Sequence, residues 1–159
     1  MKMRQGFPVA AHLLLRREDG SILMIRRANT GYEDGKWSVP AGHVDPGEST
    51  TDALVREALE ELDIKLNRSS VVFAHVMHKI DPVDAAERID FFFSCDSWTG
   101  KPVNAEPHKC SEMQWFLPSD LPPETIAYIR AGIDAVHRQL PFSEFGQWPG
   151  DTECRSSKR

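Results

Sequence analysis

The sequence has little cysteine, no long apolar run and no excess of positive charge, and each shortage removes a class of function. Cys95, Cys110 and Cys154 are odd in number and widely spaced, with no CxxC pair. They read as reduced thiols of a cytoplasmic protein, so neither a disulfide framework nor a zinc site is expected. No stretch of about 18 apolar residues occurs, and no helical membrane span is expected. The opening, MKMRQGFPVAAHLLLRRED, puts a basic residue before apolar ones. That stretch is short, includes His12 and lacks a small-residue cleavage site, so it is not read as a signal peptide. The formal net charge is −5. Nothing global recruits nucleic acid, and a polyanionic ligand would need local positive charge or a bound cation. What is present is an ordinary globular composition, 40% hydrophobic and 27% charged over 159 residues, which suits one core better than two.

Residues 7–15 and 21–27 read as strands joined by a turn around Asp19 and Gly20. Residues 28–36 hold two glycines and form a loop, and Trp37 to Val39 reads as a short strand before Pro40. Asp45-Pro46-Gly47 is a turn signal, because proline presets φ and glycine accepts a positive one. A helix is predicted from about Ser49, its N-cap, to Leu62, with Asp52 placed as in a capping box. Strands are predicted at 70–78, 88–95 and 112–117, and a last helix at about 124–139 once Pro122 and Pro123 are passed. The domain is drawn over 1–142. Residues 143–159, rich in Gly, Pro, Ser and charge, read as a tail that is poorly ordered towards its end. The order β-β-α-β-β-β-α is not doubly wound and suits an α/β architecture with a mixed sheet and helices on both faces.

On a helical wheel Leu54, Val55, Ala58, Leu59 and Leu62 share one arc, while Arg56, Glu57, Glu60 and Glu61 fall on the other. The acidic arc is unfavourable by itself, since like charges three or four residues apart destabilise a helix by a few tenths of a kcal/mol per pair. Arg56 reaching Glu60 would offset this, and a hard divalent cation would do so better.

The segment 42–64, GHVDPGESTTDALVREALEELDI, adds spacing to charge. Gly42, five residues, Glu48, seven residues, Arg56-Glu57, two residues and Glu60-Glu61 resemble the Nudix box, followed by Leu62, Asp63 and Ile64. Asp63 stands where the family has glycine. Asp tolerates the left-handed conformation of a helix C-terminus at a cost on the order of 1 kcal/mol. The resemblance is specific over 42–64 and looser over 7–140, and it is to the MutT-like branch of the family. It implies the Nudix α/β/α sandwich and Mg²⁺-assisted hydrolysis of a nucleoside diphosphate derivative, with Mn²⁺ as a substitute. It also implies roles. Glu60 and Glu61 are expected as metal ligands, and Glu57 as a ligand or, in competition with Glu61, the base. Glu48 is a supporting carboxylate, Arg56 holds the carboxylates by ion pairing, and the backbone of Ala41 or Gly42 completes the metal shell.

Outside the box, Arg27 ends the second strand, where MutT-like proteins place a phosphate-binding arginine, and Arg26 points the other way. Trp37 is a candidate for stacking on a base, weighed against a place in the core. Glu106 is a candidate extra ligand or base, and His43 a candidate phosphate contact. His75 and His78, three apart on a strand, face opposite ways and do not share a metal. Phe91, Phe92, Phe93, Trp115 and Phe116 read as buried strand residues.

The expected reaction is conversion of a (d)NTP to a nucleoside monophosphate and pyrophosphate, by a monomer or homodimer acting on a small nucleotide. The asparagine that bacterial MutT uses to read oxidised guanine has no match around Pro122–Ile126, so that specificity is not expected. Hydrolysis of ADP-ribose or a nucleotide sugar is the alternative, though the N-terminal exchange segment of many such members is not seen before the first strand. RNA cap removal is disfavoured by the charge. A catalytically silent nucleotide sensor is the reading from another class, and the intact carboxylates argue against it.

Overall fold

Alternation in the first strand decides how the molecule is layered. In the computed structural model, which describes residues 4, 6–82 and 84–151, the strands are β1 (Val9–Leu15), β2 (Ile22–Arg27), β3 (Trp37–Ser38) and β4 (Ala41–His43). The helix α1 (Thr50–Leu62) follows, then β5 (Lys65–Leu66), β6 (Val72–Ile80), β7 (Glu87–Cys95), β8 (Trp98–Thr99) and β9 (Cys110–Phe116). The chain ends in α2 (Ala127–His137) and β10 (Phe142–Phe145). A five-stranded sheet runs β10-β6-β7-β1-β4 and a three-stranded one β3-β2-β9. The larger sheet is mixed, because β1 lies parallel to β7 and antiparallel to β4. This is the α/β/α sandwich with helices on both faces that the element order suggested.

Ala11, Leu13 and Leu15 point to one core, where they meet Leu54, Ala58 and Leu62 of α1. Leu14 points to the other, with Met77, Phe92 and the α2 residues Ile129 and Ile133. Phe91 and Phe93 go with the first core and Phe92 with the second. Strands buried on both faces show unbroken apolar runs instead of polar alternation. β4 carries the same alternation to the sheet edge. Its pairing sets Gly42 beside Ala11, and Ala41 and His43 beside His12 and Ala10. Gly42 therefore faces the α1 layer, and Ala41 and His43 the α2 layer.

Helix α1 starts and stops as its sequence predicts. The Ser49 Oγ accepts the Asp52 N–H at 3.1 Å and donates to the Asp52 carboxylate at 2.7 Å. Asp63 takes φ 53° and ψ 39°, and its N–H reaches the Leu59 carbonyl at 3.0 Å. The turn before the helix closes through the Glu48 N–H and the Asp45 carbonyl at 3.0 Å, with Gly47 at φ 82°. The buried arc is narrower than the wheel indicates. Leu59 is 55% exposed, because the sheet covers only the stripe through Leu54, Ala58 and Leu62.

One other expectation changes. Residues beyond 142 were read as tail, yet Phe142–Phe145 pair parallel with β6, from Phe142↔Val76 to Phe145↔Lys79. That partner is remote in sequence, so no local turn signal announces it. The far end of the tail, 152–159, lies outside the described residues, as does Cys154; Cys95 and Cys110 are buried free thiols. Trp37 takes the place in the core weighed for it, not one open to a base: it is buried in the second core, edge-on to Phe116 at 5.1 Å.

On α2, a side chain at Gly132 would overlap the Phe92 ring, so this glycine sets how closely the helix approaches the sheet. Gly132→Val is expected to cost about 1–3 kcal/mol through overpacking. A urea midpoint equal to wild type would contradict that contact.

Candidate active site

The box loop and α1 bring together most of the residues that the sequence singled out. Arg56 is the organiser. Its Nε and Nη2 donate to the two oxygens of Glu48 at 2.8 and 3.0 Å, and its Nη1 donates to Glu57 at 2.7 Å and Glu60 at 3.3 Å. Its Nη2 also reaches the His43 carbonyl at 3.1 Å. Glu48 accepts the Asp45 N–H too, and these hydrogen bonds, with Arg56 first, hold its carboxyl well below the usual range. Glu60 is half-exposed at the outer edge.

Glu57 and Glu61 turn inward, towards β4. A side chain at Gly42 would overlap the Glu57 carboxylate, so this position has room for no side chain while Glu57 stays in place. The group that lies against the backbone at Gly42 is the Glu57 carboxylate. Glu61 accepts the Ala41 N–H at 3.1 Å. Burial pushes the Glu61 carboxyl up to about 8, with the neighbouring charges of Glu57 and Glu106 acting in the same direction. Burial also raises Glu57, although Arg56 opposes it. Desolvation and like charge both favour the protonated carboxyl. Among the described residues, no three carboxylate, imidazole or thiol groups converge as they stand around one point fit for an ion. Arg56 ties Glu48, Glu57 and Glu60 on one side, and Glu61 stands on the other.

Two adjoining hollows meet at Arg27. One is lined by Glu61, Glu106, Lys109 and Thr30 as well as Arg27. The other is lined by Ala41, Gly42 and His43, again with Arg27. Among the described residues Arg27 forms no ion pair with a carboxylate; it donates to the Tyr32 carbonyl at 2.8 Å and to Thr30 Oγ1 at 3.0 Å. Glu106 pairs with Lys109 at 2.9 Å. Arg26 points away, to the Gly35 carbonyl at 2.8 Å and to Glu112. Arg27, Glu106 and His43 are thus brought to the cleft, and Trp37 is not. His75 is sealed between the Leu140 carbonyl and Ser143, both at 2.7 Å, while His78 pairs with Glu87, so the two share no site.

A family model of the NUDIX domain matches residues 6–136. The chain belongs to the Nudix hydrolase family. A putative 8-oxo-dGTP diphosphatase of Bacillus subtilis (strain 168) is 30% identical over 112 residues, covering 70% of this chain and 68% of that protein. A putative nudix hydrolase 1 of Caenorhabditis elegans is 44% identical over 155 residues, covering 86% of this chain and 40% of that longer protein. Among solved structures, a MutT NUDIX hydrolase from Burkholderia pseudomallei aligns with a TM-score of 0.74 at 28% identity, over 82% of this chain and 98% of that one. As a Nudix hydrolase the chain is an enzyme that cleaves phosphoanhydride bonds of nucleotide derivatives, and residues 42–64 are its Nudix box. Among the described residues, no helix is long and apolar enough to cross a membrane.

The sequence reading of the Nudix cleft missed its far wall. The hollow shared with Ala41 and Gly42 is also lined by His12, Lys79, Arg88 and Tyr128. A signal was available, since Arg88 and Asp90 alternate in phase with buried Phe92 and so place charge on a core-facing surface.

Proposed function

We propose that this Nudix hydrolase is a Mg²⁺-dependent pyrophosphohydrolase that converts a nucleoside triphosphate to a monophosphate and pyrophosphate. One observation carries the reading: two inward-turned glutamates, Glu57 and Glu61, face the Ala41–Gly42 backbone in a cleft that is also lined by Arg27. Similarity to the Bacillus protein, a putative 8-oxo-dGTP diphosphatase, favours a triphosphate over ADP-ribose or a nucleotide sugar.

The residues fit a hard divalent cation. The donors are carboxylate oxygens, Gly42 lets the Glu57 carboxylate lie against the β4 backbone, and the raised carboxyls of Glu57 and Glu61 would be relieved by positive charge. Glu57, Glu60 and Glu61 would hold the ion, with Glu48 in support and the Ala41–Gly42 backbone alongside. Bound there, Mg²⁺ or Mn²⁺ supplies charge neutralisation for the diphosphate and lowers the pKa of water.

The chain's own residues do the rest. Arg56 fixes Glu48, Glu57 and Glu60 in one arrangement, which reduces the conformational freedom lost on binding. Arg27 offers a guanidinium to a phosphate oxygen at the junction of the two hollows. Glu57 and Glu61 compete for the role of base, both being carboxylates turned towards the Ala41–Gly42 backbone of the cleft. Glu106 is placed to assist Glu61, and His43 lies at the phosphate end of the cleft.

The test is nucleotide hydrolysis read by chromatography of the products across a panel of nucleoside triphosphates, ADP-ribose and nucleotide sugars. Triphosphates are expected to turn over with Mg²⁺, to fall to background in EDTA and to recover with added Mg²⁺ or Mn²⁺. Turnover untouched by EDTA would remove the metal from the proposal. Binding without turnover across the panel would favour the nucleotide-sensor reading.

A further inference from the structure

The segment between β8 and β9 carries Glu106, and its backbone is fastened at both ends to the elements that bear Glu61 and Arg27. On entry, the Val103 N–H donates to the Leu62 carbonyl and the Ala105 N–H to the Glu61 carbonyl, each at 3.0 Å. These carbonyls belong to the last turn of α1, which a helix leaves without internal partners. On exit, the Lys109 carbonyl accepts the Ala28 N–H at 2.9 Å, and the His108 carbonyl accepts Asn29 Nδ2 at 3.1 Å. Ala28 and Asn29 directly follow Arg27. The loop thus runs from the backbone of Glu61 to the residues beside Arg27, with Glu106 between them.

Inside that span the chain doubles back. The Glu106 carbonyl accepts the N–H groups of Lys109 and Cys110, at 2.9 and 3.0 Å. Asn104 closes the loop at its base, where Nδ2 donates to the Cys110 carbonyl at 2.7 Å. That bond joins the limb seated on α1 to the first residue of β9. Asn104, Glu106 and Glu61 all line the same hollow.

The other end of the Asn104 amide, Oδ1, is buried and lacks a partner among the described residues. An unmade bond of that kind costs stability, which an apolar side chain of the same shape would not lose. What asparagine adds at this position is therefore the Nδ2 donor. The Glu106 carboxylate is paired with Lys109 at 2.9 Å, but the lysine side chain is 59% exposed, and an ion pair to so open a partner fixes geometry weakly. Placement of Glu106 falls to the backbone of its loop, and closure of that loop to Asn104.

We propose that Asn104 is a positioning residue, which holds the Glu106 carboxylate in the hollow it shares with Glu61 by closing the 104–110 loop. The proposal rests on the reading of this cleft as a hydrolytic site in which Glu106 assists Glu61. Asn104→Leu keeps the bulk and loses the donor. It is expected to lower kcat on nucleoside triphosphates by about tenfold or more, with KM close to wild type. Glu106→Gln is expected to lose about 10²-fold. Adding Asn104→Leu to it should cost little further, because the group being positioned is already gone. Asn104→Gln, which keeps a donor on a longer arm, is expected to recover part of the loss.

Hydrogen exchange follows the loop without reference to turnover. The Lys109 and Cys110 amides are expected to exchange about tenfold faster in Asn104→Leu and at wild-type rates in Glu106→Gln. A merely structural asparagine would lower the melting temperature and leave kcat unchanged, and that result would overturn the proposal. So would losses that multiply in the double variant, or amides unmoved in Asn104→Leu. Should that variant fail to fold, Asn104→Ala carries the same expectations. The two readings fail separately. If wild type cleaves ADP-ribose or a nucleotide sugar instead, the triphosphate reading falls, and the same comparison runs on that substrate. Triphosphate turnover with multiplying losses sinks the positioning role alone.

Discussion

Glu61→Gln is expected to lower kcat by about 10²–10⁴-fold and, at the same time, to stabilise the metal-free protein at alkaline pH. The first effect follows whether Glu61 serves as base or ligand, because glutamine keeps the shape of the side chain and removes its charge. The second follows from burial. In the folded metal-free chain the Glu61 carboxyl titrates near 8, against an ordinary value of 4.5. Between those pH values the folded state holds a proton that the unfolded chain has released. Stability therefore falls as pH rises through that interval, and the penalty is complete above it. Glutamine carries no such penalty. Melts in EDTA are expected to give the variant the higher Tm at pH 8.5, with the gap closing towards pH 5. Mg²⁺ is expected to stabilise wild type and leave the variant nearly unmoved. Because the ion displaces a proton from Glu61, its apparent affinity should climb with pH and level off above about 8. Wild-type kcat in Glu61→Gln, or a Tm difference independent of pH, would remove Glu61 from the centre of the site.

Gly42→Ala is expected to lower kcat by about 10²-fold, the order of loss that misplacing a reacting group by an ångström brings. The added methyl would occupy the space of the Glu57 carboxylate, which is the mobile partner and would swing away. Arg56 keeps its two bonds to Glu48, so the loop should stay folded. The combination to look for is a large fall in kcat, KM for the nucleotide close to wild type, and an ordinary melt. Full activity in this variant would show that the observed position of Glu57 is not the working one.

Local chemistry made the box helix readable before any coordinates. Ser49, the Asp45-Pro46-Gly47 turn and Asp63 each act over three or four residues, and all three behave as their types dictate. The pairing of β10 with β6 depends on contact between remote segments, and no local pattern in Phe142–Phe145 announces it. Trp37 shows a second limit. An aromatic beside a glycine-rich loop serves a base or a core equally well until its neighbours are known, and here they are Phe116 and the second core. Arg27 and Glu106 were readable only through the family resemblance. Lys79 was passed over because the sixth strand continues to Ile80, two residues beyond its predicted end.

The three residues of β4 have a consequence for how this enzyme can change. Neighbouring side chains on a strand serve opposite layers, so Gly42 answers to the carboxylates while Ala41 and His43 look into the chamber beyond. Substitutions deep in either layer leave the other alone, and substrate preference is free to drift without disturbing bond cleavage. A single inserted or deleted residue just ahead of Ala41 would exchange the two allegiances at once. At that short edge length is under constraint as well as the identity of Gly42.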